Sequence, residues 1–269
     1  MKIISNKNNL VKITNNIKNL GFVPTMGAIH KGHLSLVEAS NKNCKKTLVS
    51  IFINKPQFNR KKDLQKYPRT MKKDIKKLKK YKVDYLFVPS FKEMYPNGVN
   101  KKIKVISFAK ELCGKFRPRH FEAIADIIDR FIKIIKPKKI FLGEKDMQQL
   151  KIIDAFVKEH YPKVKVIGCK TVREKNGTAM SSRNILLSDK EKIIASNIYK
   201  FIKRNKRKIL TNKIKFIYIQ KKIFKLGVKR IDYIKILDIN KIINSHLKKS
   251  KPRVFIAYYL RSTRLIDNI

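Results

Sequence analysis

Two histidines, His30 and His33, lie three residues apart in the segment Pro24-Thr25-Met26-Gly27-Ala28-Ile29-His30-Lys31-Gly32-His33. Imidazoles at that spacing face the same way on one helical turn. They can donate hydrogen bonds to phosphate oxygens whose charge grows in a transition state. The segment follows an apolar run and opens a helical pattern, so it predicts a strand–turn–helix junction. Such a junction gathers free backbone N–H groups and a partial positive charge at one point, which suits phosphate. Gly27 and Gly32 let the backbone approach a ligand closely. A single histidine is more often a satisfied core or surface residue. Two inside a Gly-rich turn of this kind favour chemistry.

The elements that position this turn read as alternating strands and helices. Strands are predicted over Gly21-Phe22-Val23-Pro24, Thr47 to Ile53, Val83 to Val88, Lys139 to Gly143 and Lys163 to Val172. The run Thr47 to Ile53 is apolar and β-branched, as a buried parallel strand should be. Helices are predicted over His33 to Cys44, Met71 to Tyr81, Phe121 to Ile135 and Asp146 to His160, with Pro137 closing the third. Alternation of this kind implies βαβ units and an α/β fold with a doubly wound parallel sheet. The tail differs. It carries helices over Ser188 to Lys203, with Ser188 as a candidate N-cap, and over Lys213 to Leu226. Strands follow at Asp232 to Leu237 and Val254 to Leu260, which predicts a smaller C-terminal α/β domain with a mixed sheet. The division expected is residues 1–171 and 172–269.

Composition sets the class. The chain has 269 residues, of which 43% are hydrophobic. That allows one large domain or two ordinary ones, at roughly 100–200 residues each. No apolar run of about 18 residues appears, so no membrane span is expected. The N-terminus lacks the pattern of a signal peptide, and a cytoplasmic protein is expected. Cys44, Cys113 and Cys169 are odd in number and widely spaced, which argues against a disulfide framework and a zinc site. Lys and Arg number 66 against 19 Asp and Glu, a net charge of +47. The excess is spread along the chain and is mostly lysine. Attraction to nucleic acid is expected at low salt and fades as salt rises. The clustered arginines and interleaved aromatics of nucleic-acid readers are absent, so no specific nucleic-acid partner is expected. The lysine runs Lys72-Lys73, Lys76-Lys77 and Lys79-Lys80 fall on a helical pattern and read as a solvated face.

His30-Lys31-Gly32-His33 matches the HxGH signature of the nucleotidyltransferase superfamily, and its surroundings are narrower still. Val23 to Val37 closely resembles the opening of the pantothenate synthetase family. The likeness continues in order through Val49 to Asn54 with Gln57-Phe58, Tyr67-Pro68-Arg69-Thr70 and Glu93 to Gly98. It goes on through Arg117-Pro118 with His120-Phe121, Gly143-Glu144-Lys145-Asp146 with Gln148-Gln149-Leu150, Ala179 to Asn184 and Arg264 to Asn268. It is dense to about Leu187 and thin from there to the last strand.

The resemblance implies a Rossmann-like domain that binds ATP and pantoate, and a small domain carrying a Ser-Ser-Arg loop. It implies condensation of pantoate with β-alanine through a pantoyl adenylate, with magnesium accompanying ATP, and a homodimer. The ATP-binding residues it implies are Met26, Gly27, Ala28, Ile29, His30, Lys31, Gly32, His33, Gly143, Glu144, Lys145, Asp146, Val172, Met180, Ser181, Ser182 and Arg183. His33, His30 and Lys145 would be catalytic, and Gln57 and Gln149 would hold substrate. No protein metal site is implied. Asp74 could help hold magnesium, although a surface i,i+4 salt bridge is the plainer role. Several positions depart from the family pattern. Lys31 replaces an acidic residue, Pro56 sits one place late, and Cys113, Arg119 and Asn176 replace Glu, Gly and Asp. If position 119 requires positive φ, an arginine there costs on the order of 1–2 kcal/mol. Two other readings are another adenylyltransferase of the same superfamily, which would not need Gln57 and Gln149, and a basic nucleic-acid-binding protein.

Overall fold

A computed structural model describes residues 1–243 and 251–269. The chain divides into two compact units. One is Met1–Glu144 with Gln149–Lys170, and the other is Lys145–Gln148 with Thr171–Ile269.

The first unit holds β1 (Lys2–Ile4), β2 (Leu20–Thr25), β3 (Lys46–Ile51), β4 (Tyr85–Phe87), β5 (Lys139–Gly143) and β6 (Lys165–Cys169). They form one sheet in the order β1-β4-β3-β2-β5-β6, with every neighbouring pair parallel. Its helices are α1 (Lys7–Thr14), α2 (Lys31–Asn43), α3 (Lys61–Lys66), α4 (Met71–Lys79), α5 (Phe91–Met94), α6 (Cys113–Phe116), α7 (His120–Ile135) and most of α8 (Met147–His160). Parallel strands need crossovers, and these helices supply them. β2 and β3 are buried almost end to end, which is why they read as continuous apolar runs. α7 packs Phe131 against Phe22 of β2, with ring centroids 5.1 Å apart. It stops at Lys136, a left-handed C-cap at φ 50° directly before Pro137. Strand order reverses between β2 and β5. At such a switch point the carboxyl ends of the strands leave a crevice for a ligand, and α2 packs across both strands there.

The second unit contains α9 (Asp189–Leu210), α10 (Phe216–Lys225), β7 (Arg230–Leu237), α11 (Ile239–Ile243), β8 (Arg253–Leu260) and β9 (Thr263–Asn268). Ser188 caps α9 as expected and does so reciprocally. Its Oγ accepts from Glu191 N–H at 3.3 Å, and Glu191 Oε2 accepts from Ser188 N–H at 2.8 Å. The predicted mixed sheet is corrected: β7-β8-β9 is antiparallel throughout. β8 and β9 join through Arg261-Ser262 alone, and a two-residue loop can only return the chain antiparallel. Arg261 takes the positive φ, 44°, that such a turn needs. Ile256, Val254 and Leu260 of β8 pack with Ile198, Ile202, Ile219 and Ile223 of the helices to make this unit's core.

Candidate active site

The turn after β2 is built by a chain of internal bonds. Thr25 Oγ1 donates to Ser50 O at 2.7 Å and accepts from Gly27 N–H at 3.2 Å. Gly27 and Ala28 then take positive φ, 82° and 51°. For Ala28 that left-handed conformation costs roughly 1–2 kcal/mol, so something must hold it. The holder is α4. Asp74 is 1% exposed, and its carboxylate accepts from Ala28 N–H at 2.9 Å and Ile29 N–H at 2.8 Å. Thr70 Oγ1 donates to the same carboxylate at 3.0 and 3.1 Å. Lys77 Nζ, one turn on, donates to Ile29 O at 2.6 Å.

Two expectations are corrected here. Asp74 is a buried acceptor of main-chain amides, not a surface salt-bridge partner, and Lys77 contributes to the turn rather than only to a solvated face. The amides of Gly27, Ala28, Ile29 and Gly32 are also engaged inside the protein. The turn is therefore no row of free N–H donors for phosphate. Local pattern gave no hint of this, because the acceptor for two of those amides lies 46 and 45 residues away.

His30 is the N-cap of α2, with extended backbone at φ −133°. Its Nδ1 accepts from Gly32 N–H at 3.1 Å. A ring nitrogen that accepts carries no proton, so the ring proton sits on Nε2. His33, in the first turn of α2, stacks on His30 with centroids 4.0 Å apart and planes at 26°. The predicted pair is thus brought together, although His30 stands at the cap rather than on the helix proper. Lys31 is exposed.

Gln57 lies in a 3-10 turn, Lys55–Gln57, that accommodates Pro56 near its start. Its Nε2 donates to Met26 Sδ at 3.2 Å, and its Oε1 accepts from Asn54 Nδ2 at 3.0 Å. Asn54 is 2% exposed. Its Nδ2 also donates to Ala123 O at 3.0 Å, and its Oδ1 accepts from Tyr95 Oη at 2.6 Å. Burial first, then the Asp126 carboxylate, pushes the Tyr95 hydroxyl well above its ordinary range, against the opposing pull of Arg130 and the Asn54 bond. Tyr95 therefore remains a donor. The Gln57 carbonyl accepts from Arg117 Nη2 at 3.1 Å and lies 2.9 Å from His120 Nδ1. Arg119 is left-handed at φ 58°, the conformation for which glycine is the natural residue.

Gly143 ends β5 at the switch point, and a Cβ built there would meet nothing within 4 Å. The protein's own packing does not require this glycine, and the space beside it is open. Glu144 follows. Cys169, paired in register with Gly143, has its thiol pushed up by burial and then by Glu144, so it is poorly suited to act as a nucleophile. Gln149 is half-buried on α8.

Within the second unit, Lys145 Nζ lies 3.2 Å from Asp146 Oδ1, and Lys145 O accepts from Asn268 Nδ2 at 2.9 Å. Val172 O accepts from Met180 N–H at 3.0 Å, which brings those two together. Arg173 pairs with Asp267 through two bonds, 2.7 and 2.9 Å, over the Tyr199 ring at 4.2 Å. Ser181 Oγ accepts from Arg183 N–H at 3.2 Å, and Ser182 is buried.

Sequence reasoning left Asn54, Tyr95 and Asn268 without roles. Each lies in a segment that resembles the family, but its partner, Tyr95 for Asn54 and Lys145 for Asn268, is distant in sequence.

A doubly wound parallel sheet whose β2–α2 turn carries a stacked His-x-Gly-His pair is that of the HxGH nucleotidyltransferase class. The comparisons narrow this. The pantoate-beta-alanine ligase family profile matches residues 2–269, and the chain belongs to that family of ligases. The pantothenate synthetase of Sulfurihydrogenibium sp. is 41% identical over 94% of this chain and 92% of its own. That of Endomicrobium trichonymphae is 41% identical over 100% and 97%. A pantoate-beta-alanine ligase of Francisella tularensis, solved with Beta-gamma ATP and β-alanine, superposes at TM-score 0.86 with 35% identity over 100% of this chain and 97% of its own. A pantothenate synthetase of Thermus thermophilus does so at 0.88 with 32% identity over 100% and 99%.

Proposed function

We propose that this chain condenses pantoate with β-alanine at the expense of ATP, through a pantoyl adenylate. A pantoate carboxylate oxygen attacks the α-phosphorus. The bond to the bridging oxygen breaks and pyrophosphate leaves. The β-alanine amine nitrogen then attacks the acyl carbon, loses a proton, and expels AMP as the carbon–oxygen bond breaks. The first step needs no general base, because a carboxylate with pKa around 4 is already ionised at neutral pH. The protein's task is alignment and neutralisation of phosphate charge.

The observation that carries this reading is the stacked pair His30 and His33 at the N-terminus of α2. Since Nδ1 of His30 accepts from Gly32 N–H, the ring proton lies on Nε2, and we assign that N–H to a phosphate oxygen. His33 takes the role of proton donor. Met26, Gly27, Ala28, Ile29, Lys31 and Gly32 line ATP beside them, with Gly143 and Glu144. Lys145 supplies a point charge suited to phosphate, and Asp146, Val172, Met180, Ser181, Ser182 and Arg183 complete the nucleotide contacts. Gln57 and Gln149 hold pantoate, since an amide both donates and accepts. Residues 1–171 act as the ATP- and pantoate-binding domain, and 172–269 carry the Ser-Ser-Arg loop.

Magnesium fits as an ion arriving on the triphosphate. Asp74 already accepts from two amides and a hydroxyl. Among the described residues no group of three His, Cys, Asp or Glu is arranged to hold a metal. An ion kept on substrate phosphates with few protein ligands suits that donor set, and it would neutralise phosphate charge. The free cysteines support work in a reducing, cytoplasmic compartment, and the family resemblance supports a homodimer. Among the described residues no helix is long and apolar enough to cross a membrane.

The test is pyrophosphate release with ATP, magnesium and pantoate, with and without β-alanine, alongside His33→Ala. Release that needs pantoate, turns over repeatedly only with β-alanine, and collapses in the variant is expected. Release indifferent to pantoate, from folded protein, would reject the reading in favour of another acid.

A further inference from the structure

We propose that Asp74 is a positioning residue for adenylation, and that it sets the pose of the histidine turn rather than binding a metal. The inference rests on the reading of His30 and His33 given above.

The geometry is specific. One buried carboxylate accepts from two consecutive amides, Ala28 and Ile29, at 2.9 and 2.8 Å. Thr70, the N-cap of α4 four residues earlier, donates to both of its oxygens and fixes its rotation. Lys77 takes the carbonyl of Ile29 at 2.6 Å, so that residue is gripped at both its N–H and its C=O. The next residue is His30. α4 thus fixes the peptide that leads directly into the cap of α2, on a stretch where Gly27 and Ala28 sit at positive φ. Backbone held against its own preference persists only when its surroundings over-determine it.

The surroundings of Asp74 strengthen the point. Lys72, Lys73, Lys76 and Lys77 flank it on α4. A carboxylate among lysines would ordinarily reach outward to a cation. This one points inward, is 1% exposed, and meets main-chain donors. Its oxygens lie so close to the turn that a Cβ on Gly27 would stand 3.2 Å from Oδ2. Charge-assisted bonds to amides are stronger than neutral ones. An asparagine of the same shape keeps one acceptor oxygen, cannot satisfy both amides, and turns an NH2 group toward an N–H.

The experiment uses the full chain with Asp74→Asn, Thr70→Val and His33→Ala. It measures pyrophosphate release against ATP and against magnesium, pantoate binding by calorimetry, and thermal melting. Asp74→Asn is expected to lower kcat/KM for ATP by about 100-fold, the scale set by a misplacement of roughly 1 Å. Pantoate affinity should stay within about twofold, since Gln57 is held by Asn54. Thr70→Val should lower the same parameter by a smaller factor, and it carries the test if Asp74→Asn does not fold. Loss of melting temperature with kcat/KM for ATP unchanged overturns the proposal, because the residue is then only structural. Recovery of activity at raised magnesium also overturns it, because the carboxylate is then a metal ligand. An active His33→Ala would instead reject the reading of the histidines, whatever Asp74→Asn does.

Discussion

Removal of one buried hydroxyl, in Tyr95→Phe, tests how the candidate pantoate residue Gln57 is held. Tyr95 is 4% exposed, and its Oη donates to Asn54 Oδ1 at 2.6 Å. That bond fixes which way the Asn54 amide points. With Oδ1 toward Tyr95, Nδ2 is free to serve both Gln57 Oε1 and Ala123 O, each at 3.0 Å. Phenylalanine fills the same ring volume, so no cavity opens. It leaves Asn54 Oδ1 buried without its donor, a cost of about 1–3 kcal/mol. At roughly 2–4 °C per kcal/mol for a chain of this size, a clear fall in melting temperature follows. The functional cost comes from the amide losing its bias, which lets Gln57 rotate. One misdirected hydrogen bond to a charged substrate group is worth about 1.5 kcal/mol or more, so pantoate KM should rise about tenfold. KM for ATP should not move. The assay is pyrophosphate release with pantoate titrated at saturating ATP. Since Tyr95 acts through Gln57, Tyr95→Phe in a Gln57→Ala background should add little further to pantoate KM. Equal rises in both backgrounds, or a lower melting temperature with pantoate KM unchanged, would refute the relay.

His30→Asn keeps an acceptor suited to an N-cap while it removes the imidazole, so melting should hardly change while pyrophosphate release falls about 100-fold or more; parallel losses of both would make His30 a cap alone. Asn268→Ala removes the donor to Lys145 O, and kcat/KM for ATP should fall about tenfold, an effect of one hydrogen bond. A Lys145→Ala background should abolish that difference, and persistence there would show that Asn268 acts elsewhere. Burial first, then Asp267, raises the Tyr258 hydroxyl above its ordinary 10.0. A raised value favours the protonated form in the folded state, so this contribution is whole below pH 10 and is lost as pH climbs above it. The stability of the parent minus that of Tyr258→Phe, from urea midpoints, should therefore shrink above about pH 10, with lysine titration common to both; a flat difference would contradict the burial argument.

What could be read from sequence was what is local or periodic. β2 and β3 declared themselves as apolar runs because both faces are covered. α7 did so because twelve of its residues, from His120 to Ile135, are buried. Ser188 lies three residues before Glu191, and that spacing is the capping box itself. β9 escaped notice because its polar residues look like a loop. In the fold they meet partners far along the chain: Arg264 meets Asp232, Asp267 meets Arg173, and Asn268 meets Lys145. The direction of the C-terminal sheet was missed for the same reason, since it follows from a two-residue connection between strands of which only one had been recognised. In the site, His30 and His33 were legible because three residues separate them. The Tyr95–Asn54–Gln57 relay was not, because no spacing rule links positions 95 and 54.

Asp74 shows most sharply how a local rule can mislead. Lysines crowd it along α4, Lys77 among them at i+3, and an exposed ion pair was the plainer expectation. Burial decided otherwise, and the carboxylate went to the backbone of the turn. This changes the chemistry expected of the site. In a glycine-rich phosphate loop the main-chain amides themselves carry the anion. Here the amides of Gly27, Ala28, Ile29 and Gly32 are already used to build the turn. On the proposed reading, charge that develops on phosphate is then met by side chains, foremost the imidazoles of His30 and His33. Amide donors cannot be removed by substitution, but imidazoles can. A site that relies on side chains should lose most of its rate with one residue, and the loss should be steepest at the histidines whose pose α4 maintains.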